Sequence, residues 1–172
     1  MKTTRIMLAA LALVAVVSAQ DVTSNFDPAV DFTRFKTYKW VEISGGERVD
    51  DIIASQITAA VDAQLAAKGL TRTNDDNAEL YVGYQVATSQ ERQLNAYASG
   101  GLRWGGGFGS ATTSTLTNAS FSLDMYDSAN KKMIWRGMAT KTVDPKASAE
   151  KRQKNIQTGA AKLLKGFPPK KK

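Results

Sequence analysis

Ala119-Ser120-Phe121-Ser122-Leu123-Asp124-Met125-Tyr126 alternates apolar and polar residues without a break. Successive side chains of a strand point to opposite sides, so this octet is a strand with one buried face. Asp127 to Lys131 supplies turn-forming residues, and Met133 to Val143 returns as a second strand. Residues 119–143 are therefore expected to form a β-hairpin. No helix can be drawn through this stretch, and the rest of the fold has to be arranged around it.

Working outward toward the N-terminus, Leu80, Val82, Tyr84 and Val86 alternate in the same way and give another strand. Before it, Ile53, Ile57, Ala60, Val61 and Leu65 recur at helical spacing. Asp50 or Asp51 can cap that helix, because a carboxylate accepts hydrogen bonds from free N–H groups at a helix start. Gly69 stands where a left-handed C-terminal residue is wanted. Thr37-Tyr38-Lys39-Trp40-Val41 is rich in β-formers and reads as a first strand, while Asp21 to Arg34 reads as a polar, extended lead-in.

Toward the C-terminus, Asp144-Pro145 is expected to open a second helix, with aspartate as cap and proline at the first helical position. Ala149, Ile156, Ala160, Leu163, Leu164 and Phe167 make its apolar stripe. Gly159 within that stripe implies close packing, and Pro168-Pro169 ends the helix. The expected fold is α+β: an antiparallel sheet of about four to five strands with two amphipathic helices packed on one face.

Several of these segments, in this order, resemble one bacterial envelope family. The opening Asp31-Phe32-Thr33-Arg34-Phe35-Lys36-Thr37-Tyr38-Lys39-Trp40, then Gly69-Leu70, then Ala78-Glu79-Leu80-Tyr81-Val82-Gly83-Tyr84 carry the first half of the match. Leu123-Asp124-Met125-Tyr126-Asp127, Met133-Ile134-Trp135-Arg136-Gly137 and the closing Phe167-Pro168-Pro169 carry the second. Together they resemble the family catalogued as "domain of unknown function 4136", from about residue 25 to 169. The resemblance implies a bacterial protein with an export signal, often a lipoprotein. It implies no activity and carries over no functional residues.

The N-terminus supports export independently. Lys2 and Arg5 precede an unbroken apolar run from Ile6 to Val17, and Val17-Ser18-Ala19 offers small residues for cleavage. That is the order of a secretory signal, and the run is too short for a membrane span of about 20 residues. Cleavage is expected between Ala19 and Gln20. It would leave a single domain over 20–169 and a loose basic tail at 170–172, with no transmembrane anchor. The chain has no cysteine, so a lipid-bearing cysteine and disulfides are both ruled out, and the released domain is expected to be soluble in the periplasm or otherwise outside the cytoplasm.

The formal charge is +7, from 23 basic and 16 acidic residues; losing Lys2 and Arg5 leaves 21 basic residues. The basic residues are scattered apart from Lys170-Lys171-Lys172, and export removes the chain from most nucleic acid, so nucleic acid is not an expected partner. Excess charge outside a cell suits solubility, or weak attraction to anionic envelope surfaces.

There is no histidine either. Ser-His-Asp and Cys-His catalytic sets are therefore impossible, as are zinc sites of the usual ligands and redox dithiols. No cofactor is implied. Asp50-Asp51 and Asp75-Asp76 are adjacent carboxylates that could in principle hold calcium or serve a glycan hydrolase. Their simpler roles are a helix cap for the first pair and the Asn74–Asn77 turn for the second.

Residues 99–110, Ser-Gly-Gly-Leu-Arg-Trp-Gly-Gly-Gly-Phe-Gly-Ser, lack the Lys-Ser/Thr pair and following helix of a phosphate loop. Arg103, Trp104 and Phe108 instead suit partner contact, since arginine and aromatic rings dominate binding hot spots. Trp40 and Trp135 are expected in or beside the core. The leading expectation is an exported, non-catalytic domain binding an envelope protein or an anionic envelope polymer. The alternatives are a carboxylate-dependent hydrolase of envelope glycans, and a structural protein with weak affinity for anionic surfaces.

Overall fold

The structure, a computed structural model, describes residues 21–97 and 110–170. The cleavage residues Ala19 and Gln20 lie outside that range, as do Arg103, Trp104 and Phe108.

The hairpin forms as its alternation requires. Strand β5 (Ser110–Asp127) and strand β6 (Lys132–Val143) pair antiparallel, with Leu123 opposite Gly137 and Asp124 opposite Arg136. The register slips between Met125 and Tyr126, so Ile134 is an extra residue on β6. Strand β4 (Leu80–Tyr97) flanks β5 along its whole length. Both strands run past the apolar alternation, because their outer halves satisfy each other's backbone groups without needing an apolar face.

Two corrections concern the sheet. Among the described residues it has six strands rather than four to five, in the order β1-β6-β5-β4-β2-β3. Part of the expected lead-in is strand β1 (Asp21–Phe26), which pairs antiparallel with β6. Its residues are mostly exposed, so no alternation betrays it. The sheet is also mixed rather than antiparallel: β2 (Thr37–Trp40) runs parallel to β4 and to the two-residue β3 (Thr71–Arg72). The cause is the 16-residue helix α1 (Asp51–Ala66) between β2 and β4. A helical crossover returns the chain in its starting direction, whereas a tight turn reverses it.

Helix α1 is capped by Asp50, whose carboxylate accepts the Ile52 N–H at 2.8 Å. It ends in a paired closure: Gly69 N–H donates to Ala66 O and Leu70 N–H to Leu65 O, with Gly69 at φ +85°. Leu65 and Leu70 are both buried there.

The third correction is the start of helix α2 (Ala149–Leu163). Asp144-Pro145 does not open it. Asp144 Oδ1 accepts the Lys146 N–H and Asp144 O accepts the Ala147 N–H, so the pair forms a tight turn. Ser148 is the actual cap, accepting the Lys151 N–H. Ala149, expected in the apolar stripe, is therefore exposed, and Ala147 is buried in its place.

One face of the sheet carries Tyr38, Leu80, Val82, Leu123, Met125, Trp135 and Ala139 in cross-strand register. They form one core with Val61 and Leu65 of α1 and with Ala160 and Leu163 of α2. Trp135 is 1% exposed and Trp40 packs half-buried against the same core. The opposite face carries Ser120 beside Thr140, Thr142 donating to Asn118, and the exposed Met138.

Candidate functional site

The inward rows of the sheet become small toward its far end. Val86, Phe121 and Ala139 form one row across β4, β5 and β6, and Thr88, Ala119 and Lys141 form the next. Near Leu65, Leu163 and Leu164 the helices meet the sheet through large side chains, and the core is filled. Beyond them, alanine and glycine meet alanine and threonine, and space is left open. The result is a cavity of about 390 Å³ between both helices and the sheet.

Its floor is the two rows just named, with Val143 beyond them. One wall is Val49, Ile53, Ile57 and Val61; the other is Ala147, Ile156, Gly159 and Ala160. An aromatic row leads down to it, from Tyr38 to Trp40 (6.5 Å between ring centres), Tyr84 (6.0 Å) and Phe121 (5.8 Å, stacked). The lining is overwhelmingly apolar, and the volume lies in the range of small-molecule pockets.

Polar groups gather at two edges. On the β6–α2 side, Lys141 Nζ donates to Asn155 Oδ1 at 2.8 Å, and Arg152 donates to Ala147 O at 2.7 Å. Both bonds have neutral acceptors. Neither cation forms an ion pair with a carboxylate among the described residues. Asp144 also lines this side, its carboxylate turned to the Lys146 N–H. On the β4–α1 side, Glu47 accepts from the N–H (3.0 Å) and hydroxyl (2.8 Å) of Thr88, bonds that hold its carboxyl below the usual range. The charged residues of the lining, Lys141, Arg152 and Asp144, thus all stand on the β6–α2 side.

The carboxylate pairs are spent elsewhere. Asp50 caps α1, Asp75 accepts the Asn77 N–H in its turn, and Asp76 pairs with Lys39. Asp51 is the acidic residue of the first turn of α1. Among the described residues no cluster of three or more carboxylates that could hold a metal is found.

Sequence reasoning found Ile53, Ile57, Ile156 and Gly159 but read them as core; they line the cavity. Lys141 and Arg152 were missed. The available signal was parity: Lys141 occupies the inward row of β6, between Ala139 and Val143, where a charged side chain breaks the apolar row.

The profile of the family described as "Domain of unknown function (DUF4136)" matches residues 22–169. The chain belongs to this family. No curated protein sequence matches it. Among solved structures it is similar to a PDZ domain protein from Parabacteroides distasonis ATCC 8503, at 12% identity and a TM-score of 0.57. That similarity covers 89% of this chain but 37% of the other, so this DUF4136 chain corresponds to a minor part of that protein. Two PelC dodecamer structures from Paraburkholderia phytofirmans match at 16% and 15% identity, each with a TM-score of 0.52, 85% of this chain and 95% of theirs. At such low identities these structural overlaps show a shared fold alone. Among the described residues no helix is long and apolar enough to cross a membrane.

Proposed function

We propose that this DUF4136 chain is an exported, non-catalytic binding domain of the cell envelope whose ligand seat is the cavity between α1, α2 and the sheet. The observation that carries the reading is the cavity itself: about 390 Å³, apolar on three sides, with cationic side chains along one edge. The paired carboxylates serve a helix cap, a turn and a surface ion pair, which supports a binding reading over the carboxylate-dependent hydrolase. Export rests on the Lys2–Ala19 signal pattern.

A second contact for an envelope protein is proposed at Arg103, Trp104 and Phe108. It is supported by the ribbon that leads to them: β4 and β5 stay paired as far as Tyr97 and Ser110, while β6 ends opposite Thr117.

A neutral apolar fluorophore, N-phenyl-1-naphthylamine, tests the seat without invoking charge. It should bind saturably at one site, and Ala119→Phe, which fills the floor, should abolish the signal while leaving the far-ultraviolet spectrum unchanged. No saturable binding, or binding untouched by Ala119→Phe, would overturn the reading.

A further inference from the structure

We infer that the cavity takes a single-chain anionic amphiphile, its hydrocarbon chain between the helices and its acidic head against Lys141 and Arg152. The inference rests on the cavity being a ligand seat and adds the chemistry and orientation of the occupant.

Volume sets the chain. A methylene group fills about as much space as a water molecule does in the liquid, about 30 Å³. A cavity of about 390 Å³ therefore holds a chain on the order of a dozen carbons. Ile53, Ile57, Ile156 and Phe121 offer such a chain no hydrogen bond, so a sugar or a peptide backbone entering there would leave its polar groups unpaired, at a cost of several kcal/mol per amide or hydroxyl group.

Charge sets the head. Lys141 rises from the apolar floor row, and its Nζ is half-buried against Asn155, a neutral partner. Arg152 reaches the same edge and spends one N–H on the Ala147 carbonyl. A guanidinium carries five donors and an ammonium three, so both retain donors for an incoming carboxylate or phosphate monoester. Asp144, on the same edge, carries its negative charge while accepting the Lys146 N–H, so two cations there face one carboxylate. No lysine or arginine lines the opposite, β4–α1 side, where Val49, Ile53, Val86 and Thr88 stand. An anionic amphiphile therefore has one orientation that satisfies both ends.

The test displaces N-phenyl-1-naphthylamine from the full chain with three probes below their micelle concentrations: dodecanoate, dodecanol and dodecyltrimethylammonium. Dodecanoate should displace it at about one-tenth the concentration that dodecanol needs, with the ammonium weakest. That tenfold corresponds to about 1.4 kcal/mol. Raising salt from 0.05 M to 0.5 M should weaken dodecanoate and leave dodecanol unchanged. The Lys141→Gln, Arg152→Gln double variant should bring dodecanoate to the affinity of dodecanol. If that variant does not fold, the three probes and the salt series on the unaltered chain decide alone.

Equal displacement by dodecanoate and dodecanol overturns the head-group assignment while the seat stands. Fluorophore binding without displacement by any of the three probes overturns the amphiphile. Failure of the fluorophore itself removes the seat. Displacement that appears only on dilution of a self-associated chain would mean that a second copy fills the cavity, and the proposal fails.

Discussion

Arg136 holds Asp124 through two parallel hydrogen bonds, Nε to Oδ1 and Nη2 to Oδ2, both 2.6 Å, directly across the β5–β6 pair. Asp124 has no solvent exposure, whereas the Arg136 side chain is 41% exposed. The hydrogen bond to Asp124 raises the guanidinium's already high affinity for its proton. The pair fixes the register of the hairpin from its polar face, and the inward rows that floor the cavity depend on that register.

Breaking the pair from the arginine side strands a buried carboxylate. Losing one partner of a buried ion pair costs about 3–5 kcal/mol. Water can reach the vacated Arg136 position, so Arg136→Met should cost about 3 kcal/mol. Arg136→Lys should recover less than half of that, because an ammonium cannot make the two-pronged contact. Urea denaturation of the three proteins measures both.

Gly137 lies opposite Leu123, and Trp135 folds its ring over it. A Cβ at this position would collide with the Trp135 ring and approach Leu163 Cδ1 to 2.9 Å. Gly137→Ala should destabilise by about 1–3 kcal/mol, as overpacking of a filled core does. Thermal unfolding should show it, together with a changed near-ultraviolet signal from Trp135.

These consequences follow from a hairpin that was legible in the sequence, because Phe121, Leu123 and Met125 alternate with polar residues and bury one face. Helix α1 was legible for a related reason: Ile57, Val61 and Leu65 recur at its period, and Asp50 and Gly69 mark its ends. β1 was not, since Asp-Val-Thr-Ser-Asn-Phe buries little and is held by backbone bonds to β6. The start of α2 was misread because Asp144-Pro145 suits a turn as well as a cap, and Ser148 lay four residues on. The parallel β2–β4 pairing was available from the helix between them and was overlooked. The cavity is a different case: its walls are shared among five elements, and periodicity cannot separate a residue that touches a neighbour from one that faces a gap.

Alkaline pH provides a further check. The Tyr38 hydroxyl donates to Asp62 at 2.6 Å, alongside Trp40 Nε1 at 2.8 Å. Burial first, then the Asp62 hydrogen bond, pushes the Tyr38 phenol well above its ordinary range. The unfolded phenol ionises near pH 10. A raised folded value gives stability that is complete below pH 10 and is lost as pH rises beyond it. Unfolding free energy should therefore fall above about pH 10, and less steeply in Tyr38→Phe. Equal slopes would show that Tyr38 is not the group responsible.

Export has its own measurement. The chain recovered from the envelope fraction of a bacterial host should begin at Gln20 by intact mass. Retention of Met1 in a cytoplasmic fraction would contradict the signal reading.

The central claim is that the space between α1, α2 and the sheet receives a ligand. A ¹H–¹⁵N spectrum of the labelled chain titrated with dodecanoate addresses it residue by residue. The amides of Ile57, Ala119, Ala139 and Gly159 should shift together and saturate near one equivalent. If those four stay fixed while dodecanoate is added past saturation of the fluorophore assay, the cavity is not the seat.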